Sequence, residues 1–217
     1  MMTHAYADTY LNDAMNNLGD MLDYAVCDCN YDADTFFSLF VSSGVATEFE
    51  SGNPKFVAGM SGPELASEVI YRAFGKGLIV KPSENTDKSP EYWAGWALAY
   101  YQWYSGLRFS QIHKALTFSE LLRLYPTLHE ADISKFVEVA GQIIRRKKED
   151  TETNLSRLRK ARGFSQKELS GASGVSIRMI QLYEQRRNDI NKAQVGTLLS
   201  LSKALGCKME DLMELIL

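Results

Sequence analysis

The sequence predicts an all-α chain of two domains. Apolar residues recur at three- and four-residue spacing along most of its 217 residues, capping signatures open several of those runs, and no alternating stretch reads as a strand. With 45% hydrophobic and 24% charged residues the composition is that of a globular protein with a substantial core. MMTHAYADTY lacks a basic region followed by an apolar run, and the longest mostly apolar stretch, Trp93 to Tyr101, is far short of a membrane span. A cytoplasmic location is expected.

In chain order, Leu11, Ala14, Met15, Leu18, Met21, Leu22, Ala25 and Val26 predict a first helix to about position 27. Asp32 to Ser43 is a second, with Phe36, Phe37 and Phe40 on a broad apolar surface. FESGNPKFVAGMSG, Phe49 to Gly62, reads as a loop or short extended segment because Gly52, Pro54, Gly59 and Gly62 interrupt it. Ser61 and Glu64 form a capping box around Pro63 and open a helix to about Phe74. Lys76 to Pro90 is linker-like, and Ser89-Pro90 then starts a helix rich in aromatics. Ser110 to Leu116 is a short helix, and Thr117 with Glu120 opens another that Pro126 ends. A helix from about His129 to Lys148 leads into the acidic hinge EDTET, Glu149 to Thr153. The domains are therefore placed at 1–148 and 154–217.

Charge separates the two. Residues 1–144 hold 9 Lys/Arg and 18 Asp/Glu, and residues 145–217 hold 15 and 9, so an acidic body carries a basic terminal domain. In the terminal domain Asn154 is expected to cap a helix from Leu155 to Ala161, ended by Gly163. Ser165 and Glu168 form a capping box on the next helix, whose buried face is Leu169 and Ala172. Gly174 supplies a positive φ, Val175 plugs the corner, and Ser176 caps a helix with Ile180 and Tyr183 on one face and Arg178, Gln181 and Gln185 on another. Asn191 with Gln194 is expected to open a helix to Leu205, and Met209 to Leu217 to form the last, making five in all. Polar donors in a row on a presented helix suit a DNA major groove, and the arrangement is a helix-turn-helix.

Leu158-Arg159-Lys160-Ala161-Arg162-Gly163-Phe164-Ser165-Gln166, Glu168-Leu169, Gly174-Val175-Ser176, Ile180, Glu184 and Leu198 to Gly206 resemble the lambda-repressor-like (XRE, Cro/C1-type) helix-turn-helix domain. The resemblance implies that Gln166 meets a phosphate and braces the reading helix, and that Ser176, Ile177, Arg178 and Gln181 face the groove. Arg178 is suited to a guanine edge, Gln181 to adenine and Ile177 to a thymine methyl. Gln185, Arg187, Asn188 and Lys192 fall where the family touches phosphates. Arg159 and Glu184 match an internal ion pair of the family. The chain departs from the pattern at Arg186, where the family commonly has glycine, and in the stretch Arg186 to Asn191, which looks about three residues longer than usual.

The acidic half carries no recognisable chemistry. Cys27 and Cys29 have no second pair or histidine cluster to complete a metal site, and the three cysteines are too few and too odd in number for a disulfide framework. His4, His113 and His129 accompany no GxSxG, HExxH or P-loop, and Glu48, Glu50, Glu64 and Glu68 have no acid–base spacing. No enzyme, metal or cofactor is expected. The aromatic stripe Trp93, Trp96, Tyr100, Tyr104 is expected to be core, while Tyr92, Tyr101 and Trp103 are candidates for a partner interface. FESGNPKFVAGMSG, SPEYWAGWALAYYQW and YEQRRNDINKAQ also resemble a group of Firmicute-type regulators that look like antitoxins and operon autoregulators. That looser resemblance implies an N-terminal domain gripping a toxin. The expected protein is a sequence-specific double-stranded-DNA-binding regulator, a repressor acting as a homodimer on an inverted repeat, with an N-terminal domain for a protein partner. The alternative is a sensor whose N-terminal domain holds a ligand in an aromatic-lined pocket.

Overall fold

Glycine meets glycine where two helices of the N-terminal half cross. The computed structural model describes residues 4–78, 80–83 and 87–214, the side chains of 148–150 excepted. Its helices α1 (Leu11–Asp23) and α6 (Pro90–Ser105) approach so closely that a Cβ on Gly95 would lie 2.6 Å from the Leu18 carbonyl oxygen, and one on Gly19 would lie 2.8 Å from the Tyr92 ring. Ala14, Leu18 and Leu22 of α1 and Ala94, Ala97 and Leu98 of α6 are buried. Beyond α1 the chain makes a π-helical turn, Tyr24–Asp28, so the helical run reaches the length its apolar spacing predicts.

Around this pair pack α2 (Ala33–Ser42), α3 (Val45–Glu50), α4 (Pro54–Val57), α5 (Gly62–Phe74), α7 (Phe109–Ala115), α8 (Phe118–Leu122), α9 (Tyr125–Leu128) and α10 (Ile133–Asp150). Several starts follow their capping residues: the Asp32 carboxylate accepts the Thr35 N–H at 2.8 Å, the Ser89 hydroxyl the Tyr92 N–H at 3.0 Å, and the Glu64 carboxylate the Ser61 N–H at 2.8 Å. Two caps arrive from far along the chain. Asp34 accepts the Phe118 N–H at 2.6 Å at the start of α8, and Glu50 accepts the Phe109 N–H at 2.8 Å at the start of α7. Phe37, Phe40, Phe49, Phe109 and Phe118 meet beneath them, with Phe40 and Phe109 rings 5.3 Å apart.

Several expectations are corrected. Phe49 to Gly62 is not a loop: Asn53 and Pro54 start α4, the Asn53 side chain accepting the Lys55 N–H at 3.1 Å. Pro126 opens α9 instead of ending α8, because a proline in the first turn forfeits no helical bond. His129 ends α9, so α10 begins four residues later than predicted and runs on to Asp150, which leaves only 151–153 of the expected hinge outside helix. In the linker-like run, Ile79 and Glu84 to Thr86 lie outside the described residues. The rest is tied down: Tyr24 Oη donates to the Val80 carbonyl at 2.5 Å, Asp28 accepts the Ser83 N–H at 3.1 Å, and Lys88 Nζ reaches Asp20 at 2.9 Å.

The aromatic assignment of α6 holds in part: Trp93, Trp96 and Tyr100 pack against the core as expected, but they are not its most buried aromatics. Tyr101 and Trp103, expected at a partner interface, are 4% and 5% exposed, whereas Trp93, Trp96, Tyr100 and Tyr104 are only half-buried. Trp103 donates its indole N–H to the Tyr6 carbonyl at 2.9 Å, and Tyr92, also half-buried, donates to Asn16 at 2.8 Å. A helix apolar on all sides gives its periodicity no means of choosing the face that small residues bring against α1.

The chain divides into two compact units, Met1–Ile144 and Arg145–Leu217, with the boundary inside α10. The second unit contains α11 (Asn154–Ala161), α12 (Gln166–Ser173), α13 (Ile177–Glu184), a 3-10 turn (Ile190–Lys192), α14 (Val195–Leu205) and α15 (Met209–Leu212). Its core is Leu155, Leu169, Ile180, Tyr183, Ile190, Leu198, Leu201, Leu205 and Leu212. Here too boundaries shift. Thr153, not Asn154, caps α11; Gln194 precedes α14 without a side-chain cap; and α15 ends at Leu212, with Met213 extended. The remainder of the predicted last helix, Leu215 to Leu217, lies outside the described residues. Ala172 is exposed, leaving Leu169 as the buried residue of α12. Among the described residues there is no strand, and no helix is long and apolar enough to cross a membrane.

Two outcomes are expected of the first unit. Alanine exceeds glycine in helix propensity by about 1 kcal/mol, yet Gly95→Ala drives a Cβ into main chain, and denaturant unfolding should show a net loss of about 3 kcal/mol. Burial, only partly countered by Asp34, lowers the pKa of His113, whose Nδ1 has no partner among the described residues. An imidazole held neutral stabilises the fold above the ordinary histidine range and ceases to do so as pH falls through it, because the unfolded chain then binds the proton more readily. The fall in melting temperature between about pH 7.5 and 5.5 should be smaller in His113→Gln.

Candidate nucleic-acid interface

The helix that would enter a groove is held by charge as well as by core packing. Arg159 on α11 donates through Nε and Nη2 to the two carboxylate oxygens of Glu184 at 2.7 and 3.0 Å, and through Nη1 to the Phe164 carbonyl at 2.7 Å. Both side chains are at most 10% exposed. The bonds to Glu184 raise the Arg159 pKa further above its already high ordinary value, so the guanidinium stays charged. Gln166, the first residue of α12, adds its amide to Glu184 at 2.8 Å and accepts the Gln181 amide at 3.4 Å. The expected ion pair is thus in place, and it extends through Gln166 onto the outward side of α13.

The turn before α13 has the geometry its residues predict. The Ser165 capping box is formed, with Glu168 accepting the Ser165 N–H at 2.7 Å. Gly174 adopts φ +73°, Val175 packs half-buried on the core, and the Ser176 hydroxyl accepts the Met179 N–H at 3.3 Å. On α13, Ile180 and Tyr183 are buried. Ile177, Arg178 and Gln185 are exposed and Gln181 is half-buried, so the four follow one outward face. Arg178 pairs with no carboxylate among the described residues.

After α13 the chain presents exposed Arg187, Asn188 and Lys192. Lys192 approaches Asp189 only to 3.8 Å, with its side chain 85% exposed. Every residue expected to touch DNA therefore lies on the start of α12, the outward side of α13 or the loop that follows. Arg186, which departs from the family pattern, also ties the loop to distant residues. Its guanidinium bonds the Thr151 carbonyl at 2.7 Å and Glu214 at 3.3 Å. The signal was an arginine where glycine is usual; its partners, 35 and 28 residues away, left none.

Removing one member of the buried pair should be costly. Arg159→Ala leaves Glu184 with the Gln166 amide alone, and equilibrium unfolding should show the second unit losing about 3 kcal/mol. Arg159→Lys should recover only part of that, because an ammonium cannot reproduce the two-pronged contact.

The comparisons agree with this geometry. Residues 154–217 match the family model of the Cro/C1-type HTH DNA-binding domain. No curated protein and no solved structure gives a match to the chain. The match spans α11 to α15, with Arg159, Glu184 and the exposed side of α13 inside it. Residues 154–217 are a Cro/C1-type helix-turn-helix DNA-binding domain, and the chain that carries them is a DNA-binding transcriptional regulator.

Proposed function

We propose that the protein is a repressor that binds an inverted-repeat operator as a homodimer, reading bases through Arg178, Gln181, Ile177 and Ser176. The observation that carries this reading is the exposed Arg178, which pairs with no carboxylate among the described residues, on a helix braced by Arg159, Glu184 and Gln166. An exposed guanidinium can pair bidentately with a guanine edge, and a braced helix loses little freedom on docking. Gln185, Arg187, Asn188 and Lys192 supply backbone contacts that fix register and set salt dependence. Repression needs no activity beyond occupancy of the operator, and no catalytic role is assigned to the acidic unit.

The N-terminal unit is a protein-binding module in this reading, and a toxin-like product of a neighbouring gene is the proposed partner. Tyr92, Tyr101 and Trp103 no longer support it, since two are core and the third is bonded to α1. What supports it is α5, where Tyr71 and Phe74 are 58% and 61% exposed one helical turn apart.

In a binding assay against a duplex selected by the wild-type chain, Arg178→Ala should cost about 1–3 kcal/mol and relax preference at one base pair. Lys192→Ala should weaken binding to all sequences alike and lower the salt slope by about 0.9. Selected duplexes should carry two half-sites about one helical turn, roughly 34 Å, apart. Unchanged affinity and specificity in Arg178→Ala would remove α13 as the reading helix. Failure of the N-terminal unit to retain the neighbouring gene product on co-purification would count against the partner.

A further inference from the structure

Arg186 occupies a backbone position that glycine fills more easily. It follows the C-cap of α13 in a Schellman ending: its N–H donates to the Tyr183 carbonyl at 3.0 Å, the Arg187 N–H donates to the Leu182 carbonyl at 2.9 Å, and its φ is +53°. The same pair of bonds closes α11 at Gly163, φ +74°, and α14 at Gly206, φ +61°. A side chain in this region crowds its own carbonyl, so such a residue persists where its surroundings hold it. The buried Arg186 Nε, which has no acceptor among the described residues, adds a second cost at the same side chain.

The surroundings explain the tolerance. The guanidinium joins the Thr151 carbonyl, just after α10, to the Glu214 carboxylate, just after α15; the two side chains of the ion pair are only 21% and 14% exposed. Glu214 in turn accepts the Asn154 N–H at 2.6 Å, and its backbone exchanges two 2.9 Å bonds with the Asn191 side chain. The loop that begins at Arg186 and ends at the 3-10 turn is therefore fastened at both ends to one carboxylate-bearing residue. Between the fastenings lie Arg187 and Asn188, and Lys192 follows the second.

We infer that Arg186 is a positioning residue for DNA binding, whose clamp on Glu214 and Thr151 sets the loop in the register where Arg187, Asn188 and Lys192 meet phosphates. The inference rests on the DNA-contact reading proposed above. It separates the backbone role of position 186 from its side-chain role, because glycine satisfies the first and abolishes the second.

The test uses the full chain and a duplex enriched by the wild-type protein from a random-sequence pool. Arg186→Gly should melt at or above the wild-type temperature yet bind that duplex about tenfold more weakly. Its salt slope should fall by more than the roughly 0.9 that one lost cation explains, as the loop contacts go with it. Glu214→Gln removes a negative charge, so plain electrostatics gives tighter binding and the clamp gives weaker. Should Glu214→Gln also lower the melting temperature, Arg186→Gly alone decides, since its backbone is relieved. Wild-type affinity in Arg186→Gly, or tighter binding in a stably folded Glu214→Gln, overturns the inference. Arg178→Ala keeps the two readings apart: loss there with none in Arg186→Gly removes the clamp and leaves the reading helix, and the converse removes the reading helix and leaves the clamp.

Discussion

Glu184 is the group on which the presentation of α13 depends. A carboxylate taken out of water is unfavourable unless its oxygens are filled, and here three N–H donors from two other helices fill them. The donors come from α11 and from the first residue of α12, so the arrangement that satisfies the charge also fixes the two helices against the third. A core with nine buried apolar residues among those described leaves a small domain marginal by apolar burial alone. Directional bonds add a unique geometry to it, and a surface that must match a groove needs that geometry more than it needs extra stability.

How much of this was legible depended on how local the cause was. Ser165, Glu168, Gly174 and Ser176 act within a turn or two of themselves, and the structure has them doing what their residue types imply. The Arg159–Glu184 pair spans 25 residues and was accessible only through family resemblance. Arg186 shows the limit: its departure from glycine was visible, but its partners Thr151 and Glu214 are set by tertiary structure. On α6 the failure was of another kind. Tyr101 and Trp103 differ from Trp93 and Trp96 in no property a periodicity can weigh, and the Gly19–Gly95 crossing decides which face is buried.

Part of the acid of the N-terminal unit is engaged in holding its helices. Asp34 and Glu50 are spent on the N-termini of α8 and α7, and Asp20 on Lys88. Asp32 and Glu64 cap their own helices; the Thr35 hydroxyl and N–H hold the Asp32 carboxyl below the usual carboxylate range, and the Ser61 N–H and hydroxyl do the same for Glu64. Carboxylates facing helix N-termini cancel part of the field there. Other carboxylates of the unit, among them Asp8, Asp13, Glu130 and Asp132, are exposed, so much of its acidic excess still faces solvent.

The long-range caps also tie the short helices of the first unit to distant parts of the chain. Helices of seven and five residues do not nucleate alone in water, and α7 and α8 are of that size. The carboxylates that complete their first turns come from residues 59 and 84 positions earlier in the chain. Closing segments of that length costs entropy before any contact repays it. Helices α7 and α8 therefore owe their helical state to tertiary contacts with α2 and α3, and the aromatic cluster beneath them is held by the same contacts.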